Sequence, residues 1–258
     1  MPRVESAGAS LYYETHGSGP AVVLAHGAGG NATVWWQQVP HLARRHTVVV
    51  FDHRGFCRSR CAPEALDPGL FASDLAAILA DAKIERAALV GQSMGGFTVL
   101  GFALSHPERV TALVLCGTPG GVRTAQIDRD LAVIPGRASE RGFIGMVLGP
   151  DFPAREPAKT FLFEQLNALN PPETLAALLP RIGSIRVADA DLAKLEVPTL
   201  VLGGTDDAFF SPDGLREVAG KMPRARFVEI PGAGHSTYFE MPDLFNDTVG
   251  NFLLENVR

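Results

Sequence analysis

The sequence predicts an α/β fold: a mostly parallel sheet with helices on both faces. Three observations carry that prediction. Short apolar runs alternate with longer amphipathic stretches along the chain. A glycine-rich pentapeptide, Gly91–Gly95, joins one such run directly to a helical pattern. Hydrophobic residues make up 46% of the 258 positions, enough for one large buried core.

Taken in order, Leu11–Thr15 reads as an antiparallel strand closed by the turn Gly17-Ser18-Gly19-Pro20. Parallel strands are expected at Ala21–Ala25, Thr47–Phe51, Ala87–Val90, Val110–Cys116, Thr199–Leu202 and Arg226–Ile230, because unbroken apolar character suits strands covered on both sides. Amphipathic helices are expected at Thr33–Arg45, Leu70–Ala82, Ser93–His106, Pro212–Met222 and Pro242–Val257. From about residue 118 to 195 no strand pattern appears. Pro119-Gly120-Gly121, Pro135-Gly136, Gly149-Pro150 and Pro171-Pro172 divide this stretch into about four helices. An insert of that size within an α/β sheet predicts a lid over a site. The expected organisation is one domain over 1–258, with its core in 1–117 and 196–258 and the helical lid at about 118–195.

Composition removes several function classes. The net charge is −5, and the densest basic stretch, Arg54–Arg60, is short, so neither nucleic acid nor an anionic membrane is an expected partner. The first ten residues lack an apolar signal core, and the longest apolar runs are far too short to span a bilayer. Cys57, Cys61 and Cys116 make no disulfide framework, and no second Cys or His pair completes a metal site. The expectation is a cytoplasmic monomer or homodimer that acts on a small molecule without metal or organic cofactor.

Gly91-Gln92-Ser93-Met94-Gly95, with Gly96 after it, is the strongest chemical signal. It lies between a strand and a helix, where a tight turn can lift a serine hydroxyl clear of the sheet beside the positive end of the helix. Residues flanking so tight a turn must be small. A free hydroxyl is a weak nucleophile and needs a base, usually histidine. Of seven histidines, His235 stands in the small-residue loop Pro231-Gly232-Ala233-Gly234-His235-Ser236 just after the last apolar run. The base in turn needs a carboxylate to fix its tautomer. Gly203-Gly204-Thr205-Asp206-Asp207 follows the preceding strand and offers two, Asp206 and Asp207.

With the chain order serine, aspartate, histidine, the sequence resembles small microbial members of the α/β-hydrolase superfamily: esterases, lactonases, cofactor-free haloperoxidase-like perhydrolases and C–C bond hydrolases. The likeness covers nearly the whole chain and includes His26-Gly27, Asp52-His53-Arg54-Gly55, the elbow, the acid loop and the histidine loop. It implies an eight-stranded, mostly parallel sheet flanked by helices with a helical lid insert. It implies catalysis by Ser93, Asp207 and His235, with Asp206 left as a turn residue. Backbone N–H groups of Ala28 and Met94 would form the oxyanion hole, and His26 would brace its loop. Phe56-Cys57-Arg58-Ser59 departs slightly from the family's usual local pattern. Trp35, Phe209 and Phe210 are the candidate pocket residues. The expected activity is cleavage of a small ester-like carbonyl substrate through an acyl-enzyme on Ser93. The alternatives are perhydrolase, haloperoxidase-like or C–C hydrolase chemistry, or a ligand sensor on a hydrolase scaffold. Serine at the elbow argues against the epoxide hydrolases and haloalkane dehalogenases of this fold, which use aspartate there.

One competing motif uses the same stretch. Residues 27–32 match G-x-G-x-x-A, with Asp52 twenty residues on, as in a dinucleotide-binding fold. That assignment leaves the elbow and the His235 loop without a purpose.

Overall fold

A computed structural model describes residues 2–257. Its strands are β1 (Arg3–Ser6), β2 (Ala9–His16), β3 (Ala21–Ala25), β4 (Thr47–Phe51), β5 (Arg60–Cys61), β6 (Ala87–Gln92), β7 (Val110–Cys116), β8 (Thr199–Gly204) and β9 (Ala225–Ile230). The longer helices are α2 (Phe71–Asp81), α3 (Met94–Ser105), α4 (Ala125–Val147), α6 (Pro157–Asn167), α7 (Pro172–Ile182), α9 (Pro212–Ala219) and α11 (Pro242–Asn256). Single turns form α1 (Val39–Leu42), α5 (Phe152–Arg155), α8 (Asp189–Leu192) and α10 (Thr237–Glu240).

Eight strands run in the order β1-β2-β4-β3-β6-β7-β8-β9, and the two-residue β5 pairs with β2 beside that path. From β4 to β9 every pairing is parallel, whereas β1 and β2 are antiparallel. The apolar strand runs exist because the sheet is covered twice. Val23, Leu89, Leu113 and Val201 pack with Leu75, Val99 and Leu215 of α2, α3 and α9. Their neighbours Val22, Val90, Val114 and Leu202 pack on the other face with Phe245 and Phe252 of α11.

The chain leaves β3 towards β4 on one side, and β6 continues towards β7 on the other. Ala25 and Gly91 are register partners at the C-terminal ends of β3 and β6. At such a reversal the loops diverge and leave a crevice, the usual ligand position in an open α/β sheet.

Two expected helices are corrected. Thr33–Arg45 is not one helix but a 3-10 turn at Ala32–Trp35 followed by α1. Pro40 would sit inside a continuous helix without an N–H to donate. Within 118–195, Pro135-Gly136 does not break α4; the interruption falls at Gly142, whose φ/ψ of 65°/178° is non-helical. Among the described residues, no helix is long and apolar enough to cross a membrane.

Candidate active site

Ser93 follows β6 directly and precedes α3 at φ 50° and ψ −114°, a conformation L-residues rarely adopt. Its N–H donates to Cys116 O at 2.9 Å, and its own carbonyl accepts from Gly96 N–H at 2.9 Å, so the turn is held from both sides. The flanking glycines are required by close approach. A Cβ on Gly91 would lie 2.5 Å from Gly95 O, and one on Gly95 would lie 2.1 Å from Ala25 O.

His235 and Asp207 meet from the loops after β9 and β8. His235 Nδ1 lies 2.9 Å from Asp207 Oδ2 and 3.1 Å from Oδ1. Asp207 Oδ1 also accepts from Phe209 N–H at 2.8 Å and Phe210 N–H at 3.2 Å. The carboxylate is fully buried and aimed at the imidazole. Asp206 is exposed; its N–H donates to Ala233 O and its carboxylate accepts from the Thr205 hydroxyl.

The histidine loop is held by the helical insert. Ser236 N–H donates to Val147 O at 3.1 Å. Glu240 Oε2 accepts from Gly149 N–H at 2.8 Å and Gly234 N–H at 3.1 Å. Burial pushes the Glu240 carboxyl above its usual range, opposed by these N–H donors. Sequence reasoning missed Glu240, since a lone Glu before a helix carries no signal.

Ser93, Met94, Ala28 and His235 all line one cavity of about 600 Å³. Its walls are overwhelmingly apolar, with Ile127, Leu131 and Ile134 from α4, Phe163 from α6 and Leu179 from α7. Phe209 and Phe210 line it too, and the Phe209 ring centroid stands 4.4 Å from that of His235. Trp35, the third pocket candidate, is absent from the lining. It is wholly buried, packed on Tyr238 and Phe245 under the α11 face, because the 3-10 turn points it into the core.

Two N–H groups stand beside Ser93 without a backbone acceptor among the described residues. Met94 is the first residue of α3, where helical N–H groups have no intrahelical partner. Among the described residues, Ala28 N–H donates to no backbone carbonyl. His26 stands behind their loop, with Nδ1 2.8 Å from Gly27 O and Nε2 accepting His53 N–H at 2.9 Å. Burial brings its pKa down to about 4, so it is neutral with its proton on Nδ1.

The dinucleotide motif does not have the geometry it needs. Asp52 Oδ1 accepts from Ala32 N–H and Oδ2 from Arg58 Nε, leaving the carboxylate buried and paired. No regular helix follows the glycine loop to receive a pyrophosphate. Among the described residues, no group of three or more His, Cys, Asp or Glu is placed to hold a metal ion.

A strand–serine–helix elbow and a buried carboxylate–imidazole pair thus open on one apolar cavity of a doubly covered parallel sheet, the architecture of the α/β hydrolases. Residues 22–248 match the model of the alpha/beta hydrolase family, and the chain belongs to that family and is an enzyme of its kind. It is 29% identical to RutD of Azorhizobium caulinodans, whose assignment as a carbamate hydrolase is provisional, over 98% of both chains. It is 29% identical to BpoC of Mycobacterium tuberculosis, provisionally a non-heme bromoperoxidase, over 94% of this chain and 97% of that one. A thermophilic esterase from Thermogutta terrifontis superposes with a TM-score of 0.85 at 27% identity, covering 99% of each chain.

Proposed function

We propose that the protein is a serine hydrolase that cleaves apolar ester-like substrates through an acyl-enzyme on Ser93. The observation that carries this reading is the buried Asp207–His235 pair opening on the same apolar cavity as the strained Ser93. In this mechanism His235 Nε2 takes the Ser93 hydroxyl proton as Oγ attacks the carbonyl carbon. Asp207 keeps the other proton on Nδ1 and stabilises the imidazolium. The carbonyl oxygen becomes an oxyanion between the N–H groups of Met94 and Ala28. His235 then passes its proton to the leaving alcohol, and the same base activates water to release the acid and restore Ser93.

The segment 118–195 acts as a lid in this account, since α4, α6 and α7 supply the apolar wall. A mainly apolar wall favours a substrate with an apolar acyl or aryl group, with Arg123 and Arg186 the cationic side chains of the lining. The likeness to an esterase supports ester cleavage. The likeness to BpoC makes perhydrolysis the second reading, since peroxide could replace water at the acyl-enzyme.

The test is a series of p-nitrophenyl esters graded by acyl length, run beside lactones and peroxide-dependent bromination. Turnover of medium-chain esters, labelling by a fluorophosphonate, and loss of both in Ser93→Ala are expected. Peroxide-dependent bromination outpacing ester hydrolysis would move the assignment to a perhydrolase. An unlabelled wild-type protein inert to all of these would refute it.

A further inference from the structure

The loop after β3 is a four-residue turn closed by Gly30 N–H donating to Gly27 O at 3.0 Å. Ala28 occupies its first corner and Gly29 its second, with φ +87°, the sign a type II turn requires. A loop containing Gly27, Gly29 and Gly30 has little intrinsic stiffness. Something must hold it if the Ala28 N–H is to keep one direction through a reaction.

His26 Nδ1 holds the Gly27 carbonyl from behind, and the helical insert holds the far side of the turn. Asn31, wholly buried, accepts Thr33 N–H with Oδ1 at 3.0 Å and donates from Nδ2 to Leu166 O at 2.8 Å, near the end of α6. A few residues further on, Asn170 donates from Nδ2 both to Gly29 O and to Asn167 O, the latter at 3.1 Å. Two carbonyls face that nitrogen, so the amide can point only one way; its Oδ1 is buried without a partner. Asn170 lies in the bend after α6, its N–H on Asn167 O at 3.1 Å, with Pro171 and Pro172 directly after it. The seat is tight: a Cβ on Gly29 would lie 2.7 Å from Asn167 Oδ1.

We propose that Asn170, on the insert, is a positioning residue for the oxyanion hole: its amide fixes the Gly29–Gly30 peptide by the Gly29 carbonyl, and the Gly30 N–H of that peptide holds Gly27 O and with it the Gly27–Ala28 peptide that carries the Ala28 N–H. The lid and the oxyanion loop are then one mechanical unit, and the lid's contribution extends beyond the cavity wall. The inference rests on the reading of Ser93 as nucleophile.

Asn170→Asp keeps the size of the side chain but sets carboxylate oxygens against two carbonyls, and Asn170→Ala removes the contact. Both are compared with wild type on one p-nitrophenyl ester and with a trifluoromethyl ketone, whose serine adduct carries an oxyanion. Removal of an oxyanion donor costs about 10²–10³ in kcat, and loosening one should cost about tenfold. A tenfold fall in kcat is expected, with KM within twofold and trifluoromethyl ketone affinity down by a similar factor. A contact that only stabilises the fold would lower the melting temperature and leave the kcat-to-KM split and the inhibitor affinity alone. Folded variants with kcat and inhibitor affinity within twofold of wild type would overturn the proposal. Failure of both variants to fold would do the same, since the contact would then be structural. An inert wild-type protein would instead remove the reading of Ser93 beneath it.

Discussion

Two adjacent aspartates follow β8, and their surroundings separate them completely. Asp207 is buried with its oxygens on His235 Nδ1 and the Phe209 and Phe210 N–H groups; Asp206 is exposed and turned to Thr205. Only a carboxylate in the first position can set the imidazole tautomer. Asp207→Asn should therefore lower kcat by about 10⁴, the size of effect known for the equivalent change in serine proteases. Asp206→Asn should leave kcat within twofold. Steady-state kinetics on a p-nitrophenyl ester measures both, and equal losses in the two variants would contradict the assignment. Residue spacing narrowed the acid to this pair, and family resemblance favoured Asp207. The discriminating fact, which carboxylate is turned inwards, depends on how the acid loop folds back beside Ala233.

At the scale of elements, α3 shows how one helix sets the position of Ser93. Near its N-terminus Gly95 presses on the Ala25 carbonyl of β3, whereas near its C-terminus the nearest atom to a Cβ on Gly101 would be Ala72 Cβ at an ordinary 3.6 Å. Gly95→Ala must push backbone from backbone and should destabilise by about 3 kcal/mol, at the upper end for overpacking. Gly101→Ala should instead stabilise by roughly 0.5–1 kcal/mol, the helix propensity difference. Urea unfolding of both variants checks the pair, and a neutral Gly95→Ala would show that β3 and α3 are not in forced contact. The apolar strands and most core helices were readable to within a residue or two because their apolar periods are local, whereas Pro212–Met222 overran α9 by three residues and the short β1 and β5 carried no such period. The stretch 33–45 was not readable, because long-range bonds decide it: Gln38 Nε2 reaches Tyr238 O and Trp35 packs on Phe245. The Asn31–Leu166 and Asn170–Gly29 contacts span 135 and 141 residues, and no local pattern marks either of them.

Over the whole molecule, the centre beneath the crevice is neutral where a pair of histidines could have been charged. His26 and His53 stack edge to face at 4.4 Å, and both are buried. His53 Nε2 lies 2.8 Å from Thr98 Oγ1 of α3, so the two rings join the loops after β3 and β4 to the helix that follows Ser93. Burial lowers the His26 pKa from 6.5 to about 4 and takes His53 well below 6.5, helped by the neighbouring ring. Between those values the unfolded chain binds protons that the folded one refuses. Stability is therefore full above pH 6.5 and is lost as the pH falls towards 4. For His26 alone the loss between pH 7.5 and 5 is on the order of 2 kcal/mol. Glu240 opposes it, because a raised carboxyl pKa makes protonation favour the folded state as the pH falls. The histidines outnumber it, so urea unfolding should show a lower midpoint at pH 5 than at pH 7.5. His26→Asn keeps a donor and an acceptor at the site but cannot titrate, and should flatten that difference by His26's share. An unfolding free energy equal at the two pH values in the wild-type protein would mean that the pair is not held neutral.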